Sequence, residues 1–169
     1  SSIPKSLKII TYGTERMSQI TLDQLCALLP EVDFRQTYGL SEFCVLRVKS
    51  RDKNSLFMKI GGEGVQTKVI SNILFIKSKF AMLGYLNEKN PFDFNGWFNT
   101  KDVVEQDEGY IKIVGRDNDL VNVGGLKFML ADVYDTLIQH NDIEDMIISS
   151  KNNSITGQHV EALVQLNED

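Results

Sequence analysis

The sequence predicts an α/β unit, then a β-rich module, then a small α+β domain, and three observations carry that reading. Apolar residues first run consecutively, then recur at helical spacing, then run again, which is the pattern of a strand, a crossover helix and a second strand. Five short β-like runs follow, each bounded by turn residues. Beyond Arg116 the texture changes to a glycine-centred hairpin, one amphipathic helix and two further strands.

Residues 7–12 form the first apolar run, and residues 13–17 break it. Ile20, Leu22, Leu25, Leu28 and Leu29 then fall on one helical face, closed by Pro30, whose missing N–H ends a helix. Residues 32–37 return to strand character before a loop, Tyr38-Gly39-Leu40-Ser41-Glu42. Such a unit implies neighbouring parallel strands with that loop at a carboxyl edge, where ligands of α/β sheets bind. Strands are expected over 44–48, 56–60, 65–70, 73–77 and 110–114. Gly61-Gly62-Glu63-Gly64 lies between two of them, lacks the Gly-Lys-Ser/Thr ending of a phosphate loop and opens no helix, so a plain hairpin turn is expected there. Leu120, Val121 and Val123 lead to Gly124-Gly125, with Lys127-Phe128 beginning the return strand. Val133, Leu137 and Ile138 share a helix face, and residues 143–149 and 160–166 read as strands joined by a turn at 151–154.

The bulk numbers narrow the function classes. Of 169 residues, 18 are Lys or Arg and 23 are Asp or Glu, for a net charge of -5. No basic field is present to hold nucleic acid. No run approaches the roughly 18 apolar residues of a membrane span, and the first residues lack the apolar centre of a secretion signal, so a cytoplasmic protein is expected. Cys26 and Cys44 are too few for a disulfide framework and read as reduced packing residues. His140 and His159 have no partner at metal-ligand spacing.

Three segments carry chemistry. In Gly96-Trp97-Phe98-Asn99-Thr100-Lys101-Asp102, the aspartate suits the paired hydroxyls of a sugar. In Gly115-Arg116-Asp117-Asn118-Asp119, the arginine suits a ribose or phosphate oxygen, and Gly124-Gly125 lets a backbone approach a ligand closely. Each alone has a structural alternative, a surface turn or a surface ion pair; their joint order points to nucleotide handling. That order resembles the adenylate-forming superfamily of acyl-CoA synthetases, adenylation domains and luciferases. The texture is closest to the fatty-acyl and aryl CoA ligases.

The resemblance implies the following roles. Tyr38 and Gly39 belong to a loop along the adenine, Ser41 meets the phosphate, and Glu42 helps hold Mg2+, a hard cation that prefers oxygen ligands. Gly13, Thr14 and Glu15 form a turn along the base. Asp102 takes the ribose hydroxyls, and Arg116 holds the ribose or phosphate end. Asn118 stands at a hinge, Gly124 and Gly125 line a tunnel for the pantetheine arm of CoA, and Lys127 sits where a catalytic-face cation is common. Met82-Leu83-Gly84-Tyr85-Leu86-Asn87 matches an architectural segment. One departure is that the family's Thr-Gly-Asp is Thr100-Lys101-Asp102, although lysine adopts left-handed backbone geometry less readily than glycine.

The expected organisation is the end of a large nucleotide-binding domain over 1–117 and a hinge with the beginning of a small domain over 118–169, a partial adenylate-forming fold. The Pro-Lys phosphate loop and the late lysine of the family are absent from the sequence, so the chain is expected to be an inactive piece of a larger enzyme. That parent would use ATP and Mg2+ to convert a carboxylic acid to acyl-AMP, and would pass it to CoA. Alternatives are loading of a carrier-protein phosphopantetheine and a non-catalytic nucleotide-binding or interaction module.

Overall fold

A computed structural model describes residue 4 and residues 6–167. They divide into two compact units, one ending at Ile113 and the other beginning at Val114.

The first unit opens with strand β1, Ile9–Tyr12, helix α1, Gln19–Leu28, and strand β2, Asp33–Gln36. Ser18 caps α1 by accepting from the Thr21 N–H, as a hydroxyl at this position can. The helix stops one residue before Leu29-Pro30. β1 and β2 pair in parallel, Ile10 opposite Phe34, which bears out the strand, helix, strand reading. Leu22, fully buried, packs with Val32, Phe34 and Leu56 beneath the helix. Burying one such leucine stabilises by roughly 1.5–3 kcal/mol.

A seven-stranded sheet follows. Its strands are β3 (Tyr38–Leu40), β4 (Cys44–Ser50), β5 (Met58–Gly61), β6 (Val65–Ile70), β7 (Ile73–Ser78), β8 (Phe98–Asp107) and β9 (Tyr110–Arg116), in the order β3-β4-β5-β9-β8-β7-β6. Alternate residues of β5, β7 and β8 point inwards, so Met58, Ile60, Leu74, Ile76, Phe98 and Val104 form one core with Phe43 and Leu46. Phe43 meets Phe98 edge to face at 5.4 Å between centroids.

Several expectations change here. Tyr38–Leu40 is a strand paired with β4, not loop; only Ser41 and Glu42 turn. The Gly61-Gly62-Glu63-Gly64 stretch is no hairpin, because β5 and β6 are not neighbours in the sheet; it carries the chain to the far edge. The Thr100 segment, unassigned from sequence, lies inside the ten-residue strand β8, whose polar and strained middle masked its alternation. Cys44 is exposed, with φ 59, and so does not pack; both cysteines are free.

In the second unit a short 3-10 turn, Asp117–Asp119, precedes β10 (Leu120–Val123), β11 (Leu126–Met129), helix α2 (Leu130–Leu137), β12 (Ile143–Asn153) and β13 (Gly157–Leu166). The sheet order is β11-β10-β13-β12, with Val121, Met129 and Met146 buried. The β12–β13 turn falls at 154–156, later than the expected 151–154, because β12 stays paired through Asn153 with Gly157.

Candidate functional site

The carboxyl ends of β1 and β2 are stitched together at Thr37. Its N–H donates to the Tyr12 carbonyl at 2.7 Å, and its hydroxyl donates to the same oxygen at 3.1 Å. A Cβ on Gly13 would lie 2.1 Å from Thr37 Oγ1 and 2.8 Å from the Thr37 carbonyl. Glycine is required there by the neighbouring strand, and Thr14 follows with φ 73 in a turn that leaves Thr14 and Glu15 exposed. Burial, and secondarily the charge of Cys26, pushes the Tyr12 phenol up to about 12.

Gly39 is likewise dictated by the chain itself, since a Cβ would sit 2.6 Å from the Cys44 carbonyl. Ser41 is exposed and Glu42 half-buried on the turn after β3. The Glu42 carbonyl accepts from Met82 N–H at 2.8 Å, and its carboxylate accepts from the Tyr85 hydroxyl. That hydrogen bond, which stabilises the protonated phenol next to a carboxylate, raises the Tyr85 pKa above the ordinary tyrosine value. The segment read as architectural therefore holds a proposed metal ligand. Among the described residues no group of three or more His, Cys, Asp or Glu is placed to hold a metal. One carboxylate suits Mg2+ only if phosphates and water supply its other ligands.

Asp102 is placed by a bulge in β8. Ile73 of β7 pairs with Val103 but Phe75 pairs with Asn99, so two steps on β7 face four on β8. Lys101 sits in the bulge at φ 64, the left-handed region that glycine enters at least cost. The family's glycine position thus keeps its backbone geometry with a lysine in it. Thr100, buried, donates to the Leu74 carbonyl at 2.9 Å and accepts from the Asp102 N–H at 3.1 Å. Asp102 is itself only 5% exposed, and its Oδ2 accepts from the Tyr38 hydroxyl at 2.5 Å. Upstream, the Asp93 carboxylate accepts from Asn95 and Trp97 N–H groups, forming the turn that admits Gly96 at φ 81 and starts β8. Those backbone donors, Trp97 foremost, hold the Asp93 carboxyl below its usual range.

The remaining candidates belong to the second unit. Arg116 ends β9, exposed, and Asn118 lies in the following 3-10 turn. Gly124 and Gly125 adopt φ 58 and 95 in a two-residue hairpin with open space where their Cβ atoms would be. Asn122 Oδ1 accepts from Gly125 N–H at 3.0 Å, and Gly124 N–H donates to the Thr156 carbonyl at 2.8 Å. Lys127 is exposed on β11. Sequence reading missed Thr100 as a brace and Tyr85 as a carboxylate partner. The Thr-x-Asp spacing was a usable signal for the first; the second depends on a contact 43 positions apart in sequence.

A cleft of about 590 Å³ also opens in the first unit, lined by Thr11, Gln36 and Thr37 on one side and Lys49, Arg51 and Lys53 on the other. No helix among the described residues is long and apolar enough to cross a membrane.

With strand pairing and carboxylate geometry in hand, the fold is seen to be shared with solved adenylate-forming enzymes. Over 99% of this chain the fold matches o-succinylbenzoate CoA synthetase from Bacillus subtilis in complex with its acyl-adenylate intermediate, at TM-score 0.77, 18% identity and 38% of that chain. ATP-bound MatB from Rhodopseudomonas palustris matches 94% of this chain and 35% of its own, at TM-score 0.75 and 20% identity. No family model matches. By sequence, the chain is similar to several proteins named as CoA ligases or as CoA ligase-like. A 4-coumarate–CoA ligase-like protein of Arabidopsis thaliana is 26% identical over 175 residues, covering 91% of this chain and 31% of its own length. A 2-succinylbenzoate–CoA ligase of Staphylococcus epidermidis is 28% identical over 169 residues, covering 92% of this chain and 35% of its own. The chain spans about a third of the length of these relatives.

Proposed function

We propose that this chain is the nucleotide-facing segment of an ATP-dependent acid–thiol ligase, one that activates a fatty or aryl carboxylic acid as acyl-AMP and transfers it to CoA. The observation that carries the reading is the hydrogen bond between Tyr38 and Asp102, which joins two nucleotide motifs lying 64 positions apart. It does so in a fold shared with an ATP-bound neighbour and an acyl-adenylate-bound neighbour.

In this reading the Tyr38 ring flanks the adenine, Asp102 accepts from the ribose hydroxyls, and Ser41 donates to a phosphate. Glu42 and the phosphates hold Mg2+, which supplies charge neutralisation when bound. Gly13, Thr14 and Glu15 follow the base, and Arg116 steadies the ribose or phosphate end. The domain junction lies near 117–118 with Asn118 as pivot, Gly124 and Gly125 leave room for the pantetheine arm, and Lys127 adds a cation on the moving hairpin. Catalysis would rest on positioning and electrostatics. The chain alone, without a Pro-Lys loop, binds nucleotide and does not turn over.

Equilibrium dialysis with AMP, paired with a pyrophosphate-release assay using ATP and a panel of fatty and aryl acids, tests this. The expected result is AMP binding that Asp102→Ala abolishes, without pyrophosphate release. Steady release by the chain alone would overturn its assignment as an inactive segment; absence of AMP binding at millimolar nucleotide would overturn the site. A second reading, a module that keeps the fold without catalysis, is favoured by the lysine at φ 64 in the bulge.

A further inference from the structure

The sheet of the second unit, in the order β11-β10-β13-β12, has the eleven-residue strand β12 at its edge. It pairs with β13 on one side and, among the described residues, with no strand on the other. An open edge is a row of unpaired N–H and C=O groups, and proteins that avoid pairing there interrupt it with proline, bulges or charges. The bulge in β12 lies at its start, between Ile143 and Asp145. The stretch that follows, Met146-Ile147-Ile148-Ser149-Ser150, holds no charge, glycine or proline. Ile147 is 68% exposed and sits opposite Leu163 of β13, which is 73% exposed, so an apolar pair faces solvent beside the open edge.

The charges flanking that stretch have opposite sign, Glu144 and Asp145 before it and Lys151 after it. We propose that a second copy of this chain pairs with β12, edge to edge and antiparallel about a two-fold axis at Ile148, making a symmetric dimer with one continuous sheet. The register follows from the alternation of faces, since opposed residues of an antiparallel pair lie on the same side and a one-residue slip would turn the second copy over. Centred on Ile148, Asp145 of each copy lies opposite Lys151 of the other. Moving the axis to Ile147 or Ser149 keeps the faces but sets Asp145 against Ser149 or Asn153, and both ion pairs are lost. Asp145 accepts from the Met146 N–H through Oδ1, and Lys151 gives one of its three donors to Glu161 at 2.5 Å, so both groups keep capacity for a new partner. The two Ile147 side chains approach diagonally across the axis and, with both Leu163 side chains, form one apolar stripe. The inference stands apart from the nucleotide reading.

The test is sedimentation equilibrium of the full chain under reducing conditions from about 10 μM to about 1 mM, a range suited to an interface at the small end of the specific class. The native chain is expected to reach a dimer and no larger species, because pairing uses up the open edge. Lys151→Glu and Asp145→Lys each place two like-charge contacts in the dimer and should weaken it by about 10- to 30-fold. An equimolar mixture of the two variants restores both ion pairs and should associate with near-native affinity. Ile148→Cys, in a Cys26→Ala and Cys44→Ala background, should form a disulfide-linked dimer on oxidation, since residues on the axis face one another within disulfide reach. Ser149→Cys in that background meets its own copy only diagonally and should not link. The cysteine pair of variants decides the matter should a charge variant fail to fold. A chain that stays monomeric throughout the range overturns the inference. So does a dimer that neither charge change weakens, a mixture that fails to recover, or a Ser149→Cys chain that links as readily as Ile148→Cys.

Discussion

Tyr85 donates its hydroxyl to the carboxylate of Glu42, and the Glu42 carbonyl takes the Met82 N–H, so the turn after β3 is tied at two points to the segment around residue 85. The phenol's raised pKa is caused first by that hydrogen bond. Glu42→Gln is therefore expected to return Tyr85 towards the ordinary tyrosine range. Ultraviolet titration of the tyrosinate band in both proteins checks this, and an unchanged Tyr85 midpoint would mean that the hydroxyl and carboxylate are not bonded in solution.

Tyr12 gives a pH dependence with a definite sign. Its folded pKa is pushed up to about 12 from 10.0, so the folded state holds this proton more tightly than the unfolded chain. The stability it contributes is complete below about pH 10 and is lost as pH rises towards about 12. Urea midpoints measured across that window should fall with pH, and Tyr12→Phe should flatten the fall. Cys26→Ala should lower the Tyr12 midpoint only slightly, since burial outranks the Cys26 charge.

Lys101→Gly should stabilise the first unit. The bulge imposes φ 64, and a residue with a Cβ meets roughly 1–2 kcal/mol of strain there, partly offset by roughly 0.5–1 kcal/mol for the greater freedom of glycine in the unfolded chain. A gain of about 0.5–1 kcal/mol in a denaturant melt is the expected outcome; a loss would show that the lysine side chain makes a stabilising contact that outweighs its backbone.

Gly13→Ala should do the reverse. The added methyl would meet Thr37 Oγ1 at 2.1 Å and the Thr37 carbonyl at 2.8 Å, so the ends of β1 and β2 must separate. Overpacking of this kind costs about 1–3 kcal/mol. Thr37→Ala in the same background removes the nearer of the two contacts and should restore part of the loss, which a double-mutant cycle measures.

Thr100→Val removes a buried hydroxyl that serves as donor to Leu74 and acceptor for Asp102 while conserving volume. Destabilisation of about 1–3 kcal/mol is expected, because both partners are left without their bond inside the sheet. Amide exchange at Asp102 should quicken in parallel, since its N–H loses the Thr100 acceptor.

Local chemistry was legible in the chain itself. Apolar spacing placed β1, α1 and β2 and their parallel pairing, and the Gly124-Gly125 pair placed the second unit's hairpin with its positive φ values, because these depend on side chains close in sequence. The Thr100-Lys101-Asp102 and Tyr38-Gly39-Leu40-Ser41-Glu42 motifs carried the family resemblance, since each is a contiguous string. What only the tertiary structure decided were the relations between distant segments: that Asp102 lies in a strand and faces Tyr38, that Glu42 belongs with Tyr85, and that β5 and β6 are not neighbours in the sheet. Strand order and bulge register follow from which buried faces meet, and no local propensity specifies that. The lysine at 101 shows both levels at once: sequence revealed the departure from glycine, and only the bulge between β7 and β8 showed that the backbone there is still left-handed.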